Sequence, residues 1–178
     1  MGRTLNVLFA GFGGQGLLFA GKLAVTAGLI EDREVTWLPS YGPEMRGGTA
    51  NCSIVISDEP IGSPLVVAPD VLVAMNQPSV DKFIGDVVPG GLVIIDTTLV
   101  PNIPVREDVT IIAMPATQMA EDAGLKGLAN VILTGRLLKE TGFCSAESVD
   151  AAIAKCVPAR RTTMLESNRA ALKMGLES

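Results

Sequence analysis

The chain has 178 residues, of which 48% are hydrophobic, 19% charged and only 4% aromatic, and it carries a formal net charge of −5. That length suits one domain, the composition is too apolar for disorder, and the acidic balance gives no field to hold a nucleic acid. The absence of histidine removes Ser-His-Asp and Cys-His nucleophiles, histidine general bases and histidine metal ligands together.

The first residues run directly into Leu5–Ala10, a short apolar stretch that reads as a buried strand stopped by Gly11. No small-residue cleavage site follows an apolar core, so no leader is expected. No run of about 18 apolar residues is present, so no membrane span is expected. Leu17–Leu29 is a helix candidate with Gly28 near its end, and Glu34–Leu38 a second strand closed by Pro39. A glycine-rich connection leads to a third strand over Ala50–Ile56. Val71–Ala74 and Leu92–Asp96 are further strands, bridged by an amphipathic segment from Ser79 to Val88, and Val109–Ala113 is the last. After Pro115 the pattern is helical: Thr117–Asp122, Leu125–Thr141, Ala146–Val157 and Arg161–Met174. Strands rich in β-branched residues alternating with helices predict an α/β fold with a mostly parallel sheet and a helical C-terminal third. No internal repeat or domain boundary interrupts residues 1–178, so a single domain is expected.

Gly11-Phe12-Gly13-Gly14-Gln15-Gly16 lies between the first strand and the first helix, the context required of a phosphate-binding glycine turn. Glycines let backbone N–H groups approach a ligand, and the following helix offers unsatisfied N–H groups and a positive dipole end. Two specific readings fail on neighbouring residues. Leu17-Leu18 stands where a nucleotide triphosphatase needs Lys-Ser/Thr, and the second strand ends Thr36-Trp37-Leu38-Pro39 without the acid that holds a dinucleotide ribose. The alternative role for the turn is tight packing of helix on sheet.

Tyr41-Gly42-Pro43-Glu44-Met45-Arg46-Gly47-Gly48 is dense in special residues for a connector. It is expected at the same sheet edge as the first turn, with Arg46 offering a guanidinium to an acidic ligand or to a carboxylate on another chain. Its simpler reading is a solvent loop with a Glu44–Arg46 surface pair. Asn76 and Gln77 close a strand, as Asp96 closes another, and each is either a ligand contact or a helix cap. Cys52, Cys144 and Cys156 show no C-x-x-C spacing, fall short of the four thiolates of an ordinary iron–sulfur cluster, and suit a reducing cytoplasm. Cys52 reads as a buried apolar side chain. Arg160, Arg161, Arg169 and Lys173 make the last helix basic, either as a solvated face or as a docking face.

Ala10–Gly16, then Pro39–Cys52, then Pro69-Asp70-Val71-Leu72-Val73-Ala74-Met75-Asn76-Gln77 together resemble the gamma subunit of 2-oxoacid:ferredoxin oxidoreductases, closest in wording to the 2-oxoglutarate and branched-chain ketoacid members. The resemblance runs from Leu5 to about Thr141. It implies a Rossmann-like three-layer α/β sandwich within a multi-subunit cytoplasmic enzyme that converts a 2-oxoacid to acyl-coenzyme A and passes electrons to ferredoxin. It implies alpha and beta partners, a ferredoxin-like delta subunit in some enzymes, and thiamine diphosphate and iron–sulfur clusters held by those partners. Such a chain is inactive alone, and a homodimer is compatible with it in isolation. By position, Gly11, Gly13, Gly14, Gln15 and Gly16 match the first motif, and Tyr41, Glu44, Arg46, Gly47 and Gly48 the second. A contribution to coenzyme A binding would fall on them, with Asn76 and Gln77 beside them. The residues alone leave two rivals: a stand-alone nicotinamide or flavin oxidoreductase, and a non-catalytic nucleotide-binding module.

Overall fold

The computed structural model describes residues 3–41, 49–158 and 160–178. Strands β1 (Thr4–Phe12), β2 (Glu34–Tyr41), β3 (Thr49–Ser57), β4 (Val71–Ala74), β5 (Leu92–Asp96) and β6 (Thr110–Met114) form one sheet in the order β2-β3-β1-β4-β5-β6. The helices are α1 (Leu17–Ile30), α2 (Gln77–Phe83), α3 (Ala116–Asp122), α4 (Ala129–Thr141), α5 (Ala146–Cys156) and α6 (Thr162–Glu177).

Central strands buried on both faces must be apolar at consecutive positions, and β1 and β4 are. Leu5, Val7, Phe9, Val71 and Val73 point into one core; Leu8, Ala10, Leu72 and Ala74 point into the other. The first core is thick, built with α1, α3, α4, α5 and α6. The second is thin, closed by Val80 of α2, by the one-turn 3₁₀ helix Ile84–Asp86 that follows it, and by Val87 and Val100. The three expected layers are present but unequal.

Several details differ from the sequence reading, among them the helix expected from Leu125, which begins at Ala129. The amphipathic segment breaks after Phe83, where the 3₁₀ turn containing Gly85 ends the helix early. And β3 runs antiparallel to both β1 and β2, while β1, β4, β5 and β6 run parallel. A strand returned by a hairpin cannot be parallel to its predecessor. β2 and β3 are consecutive and pair antiparallel up to Tyr41↔Ala50, so the two strands form a hairpin.

The C-terminal helices cover the sheet and one another. α6 lies on α4 and crosses it at Gly135 and Gly175, where a Cβ on either glycine would meet the other helix's backbone. At the opposite end of the molecule from the glycine turn, Arg33 donates to Asp58 Oδ1 at 2.7 Å, to Phe143 O at 2.6 Å and to Arg3 O at 2.9 Å. Arg3 in turn donates to the carbonyls of Thr141 and Gly142 at the end of α4. The exposed carbonyl end of a helix attracts cations.

Candidate functional site

The candidate site lies at the carboxyl ends of β1 and β4. These neighbours are parallel, yet α1 leaves β1 toward the thick core and α2 leaves β4 toward the thin one. In open α/β sheets that divergence creates a crevice in which ligands bind.

The glycine turn fills the space between β1 and α1. Gly14 (φ 98°) and Gly16 (φ 76°) adopt the left-handed conformation that favours glycine. Gly16 caps α1 without any side-chain bond. Among the described residues, the N–H groups of Gly13, Gly14, Gly16, Leu17, Leu18 and Phe19 have no hydrogen-bond acceptor. A cavity of about 390 Å³ opens over them on the β3 side, lined by Phe12, Gly13, Gly14, Gly16–Phe19 and Ala50. A second, of about 240 Å³, opens on the β4 side beside Gln15, Met75, Leu99, Thr117, Glu121 and Lys126. Free amide donors at a helix N-terminus beside an apolar cavity can hold an anionic group attached to an apolar body.

Gln15 does not point at either cavity with free polar atoms. Its Oε1 accepts from Phe12 N–H at 2.5 Å and its Nε2 donates to Met75 O at 2.9 Å. Asn130, which the sequence reading passed over, secures the other end of the turn. Its Nδ2 donates to Gly16 O at 2.9 Å, and a Cβ on Gly16 would lie 2.5 Å from it. Asn130 is buried and its Oδ1 has no partner among the described residues. A polar side chain just before Val131-Ile132-Leu133 was the one available signal.

The remaining candidates divide. Asn76 is buried and its Oδ1 accepts from Ser79 N–H at 2.8 Å, so it is the N-cap of α2. Gln77 is turned to the β5–β6 connection: it donates to Asn102 O and Asp81 Oδ1 and accepts from Asn102 N–H. Asp96 is buried and caps α3 through Thr117 N–H and Oγ1. Tyr41 ends β2, and β3 begins at Thr49 opposite Phe12. The flanks of the second loop are therefore at the same sheet edge as the first turn. Glu44, Arg46, Gly47 and Gly48 lie outside the described residues.

The donor set does not suit a metal centre. No group of three or more His, Cys, Asp or Glu side chains comes together among the described residues. Burial pushes the Cys52 thiol up to about 12 and does the same to Cys144, with the nearby Glu31 carboxylate adding to it. With three cysteines and no such group of side chains among the described residues, the chain falls short of the four thiolates an ordinary iron–sulfur cluster needs. No helix is long and apolar enough to cross a membrane among the described residues. The basic residues of α6 are partly spent: Arg169 makes a bidentate pair with Asp150, and Lys173 pairs with Glu177.

Residues 6–178 match the pyruvate ferredoxin/flavodoxin oxidoreductase family. The chain is 41% identical over 156 residues to 2-oxoglutarate synthase subunit KorC of Methanocaldococcus jannaschii, covering 86% of this chain and 83% of that protein. It is 46% identical over 136 residues to ketoisovalerate oxidoreductase subunit VorA of Methanothermobacter marburgensis, but there the match is 76% of this chain and only 28% of the longer relative. Among solved structures it superposes on the gamma subunit of a keto/oxoacid ferredoxin oxidoreductase from Geobacter sulfurreducens with a TM-score of 0.84 and 31% identity, covering 97% and 96% of the two chains. Fold, glycine turn and sequence thus agree, and the chain belongs to the pyruvate ferredoxin/flavodoxin oxidoreductase family.

Proposed function

We propose that residues 1–178 form one gamma-type unit of a multi-subunit 2-oxoacid:ferredoxin oxidoreductase. The enzyme would cleave a 2-oxoacid to carbon dioxide and an acyl group, pass the electrons to ferredoxin, and release the acyl group on coenzyme A. Alpha and beta subunits, and a ferredoxin-like delta subunit where one exists, would be its partners. The names of the similar KorC and VorA proteins support the 2-oxoacid class. Thiamine diphosphate and the iron–sulfur clusters would be held by those partners; for the clusters this agrees with a chain that has no histidine and only three cysteines. When bound there, thiamine supplies the carbanion chemistry of decarboxylation.

This chain's part is to bind and orient. The observation that carries the reading is the set of amides of Gly13, Gly14 and Gly16–Phe19, without acceptors among the described residues, beneath an apolar cavity. The amides would receive a coenzyme A phosphate, and Phe12, Leu17 and Leu18 would pack against the apolar body attached to it. Arg46, on the loop that joins β2 to β3, would close the same edge and add a cationic contact.

Affinity purification of the tagged chain from its native cell tests the assembly. Thiamine- and iron–sulfur-containing subunits should accompany it, and a chain purified alone with a bound dinucleotide would refute the reading. In the complex, Arg46→Ala should raise KM for coenzyme A more than KM for the oxoacid. Equal effects on both would assign Arg46 to structure or to the subunit interface.

A further inference from the structure

The crevice between β1 and β4 is the position at which doubly wound folds bind dinucleotides, and here the chain's own side chain occupies it. Gln15 spans the gap, tied to β1 through Phe12 N–H (2.5 Å) and to the end of β4 through Met75 O (2.9 Å). Gly11 is shaped around it. A Cβ at Gly11 would collide with Gln15 Oε1 and sit 3.2 Å from Met75 Cβ. The first glycine of the turn therefore makes room for an internal carboxamide, whereas in a dinucleotide turn the first glycine serves the tight bend and the second lets the backbone approach the pyrophosphate. Gly14, by contrast, has open space where its Cβ would be, and its amide and that of Gly13 have no acceptor among the described residues.

We propose that Gln15 is a specificity-determining residue that closes the β1–β4 crevice to dinucleotides and leaves the free amides of the turn to a ligand entering from the β3 side. The two halves of a dinucleotide must lie on either side of the point where the strand connections diverge. A side chain hydrogen-bonded to both strand ends stands across that path, between the cavity on the β3 side and the one on the β4 side. A ligand with its phosphates at one end avoids it. The proposal concerns what the turn rejects and does not depend on the coenzyme A reading.

The test uses the full chain and NAD+ as the probe, followed by titration calorimetry and by the amide resonances of Gly13 and Gly14. Wild type should show no saturable binding up to about 5 mM, the weak end of measurable affinities. Gln15→Ala empties the crevice and should bind at least tenfold more tightly than wild type. Gln15→Met keeps the bulk and loses both hydrogen bonds; it should remain closed, which separates occlusion from bracing of the turn. If Gln15→Ala does not fold, Gln15→Asn, one methylene too short to reach both strands, is the opening variant. Saturable NAD+ binding by wild type, a folded opened variant as inert as wild type, or a Met variant that binds like the Ala variant would each overturn the proposal.

Discussion

Replacing Gly175 with alanine should detach α6 from α4. A Cβ there would lie 2.8 Å from the backbone nitrogen of Arg136 and 2.9 Å from the Cα of Gly135, and nearer still to the carbonyl oxygen of Ile132. None of these atoms is the end of a flexible side chain, so a rotamer change cannot relieve the clash. The helices must part by about 1 Å, and a gap of that size forfeits up to about half of each contact's dispersion energy. Asn168, Ala171 and Leu172, all buried between the two helices and the core, would lose contact together. Overpacking of this kind costs about 3 kcal/mol, offset by up to about 1 kcal/mol from the better helix propensity of alanine. The net loss of about 2 kcal/mol corresponds to a fall of roughly 4–8 °C in Tm for a domain of this size. Thermal melting followed by circular dichroism measures it, and limited proteolysis should cut first between α5 and α6. Gly85→Ala is the control, since its Cβ meets nothing within 4 Å. A Gly175→Ala protein that melts within a degree of wild type would show that the crossing is not held by this glycine contact.

Three further outcomes follow from the geometry. Asn76→Ala removes the α2 cap and should cost about 1 kcal/mol in denaturant titrations while leaving ligand-induced shifts at Gly13 and Gly14 unchanged; loss of those shifts would return Asn76 to the binding site. The hydrogen bond from Arg3 N–H, together with the Arg33 guanidinium, holds the Asp58 carboxyl below its ordinary 3.8. A depressed folded pKa gives stability that is present above the unfolded value and lost as pH falls through the folded one, so Asp58→Asn should flatten the acid-unfolding limb below about pH 4, and an unchanged limb would refute the linkage. At pH 8 a thiol reagent should label Cys156, which is partly exposed, well before Cys52 and Cys144, which are buried with thiols near 12; fast labelling of Cys52 in the native state would contradict its burial.

Much of this molecule is legible before any coordinates. Runs such as Val71–Ala74, short, rich in β-branched residues and apolar at every position, read as strands with cores on both sides, and the glycine turn announces its own strand–turn–helix context. What the sequence conceals is pairing across distance. Nothing near Gln15 indicates that its amide will meet Met75 O, 60 residues away. Nor does anything near Gly16 reveal that Asn130, 114 residues on, holds its carbonyl. Asn76 was equally suited to ligand or cap, and the bond to Ser79 N–H shows that it caps α2. The reversal of β3 is hidden for a related reason. Its residues are as β-branched as those of its neighbours, and direction resides in the connection, not in the strand.

That reversed strand gives the protein a freedom that an all-parallel sheet lacks. A crossover helix between β2 and β3 would have to be rebuilt along its whole length whenever the rim beside the glycine turn changed. A hairpin returns the backbone on the spot, so its tip can be lengthened, recharged or reshaped residue by residue while both ladders keep their register. Related proteins could in this way reshape the rim beside the glycine turn without renegotiating the interior.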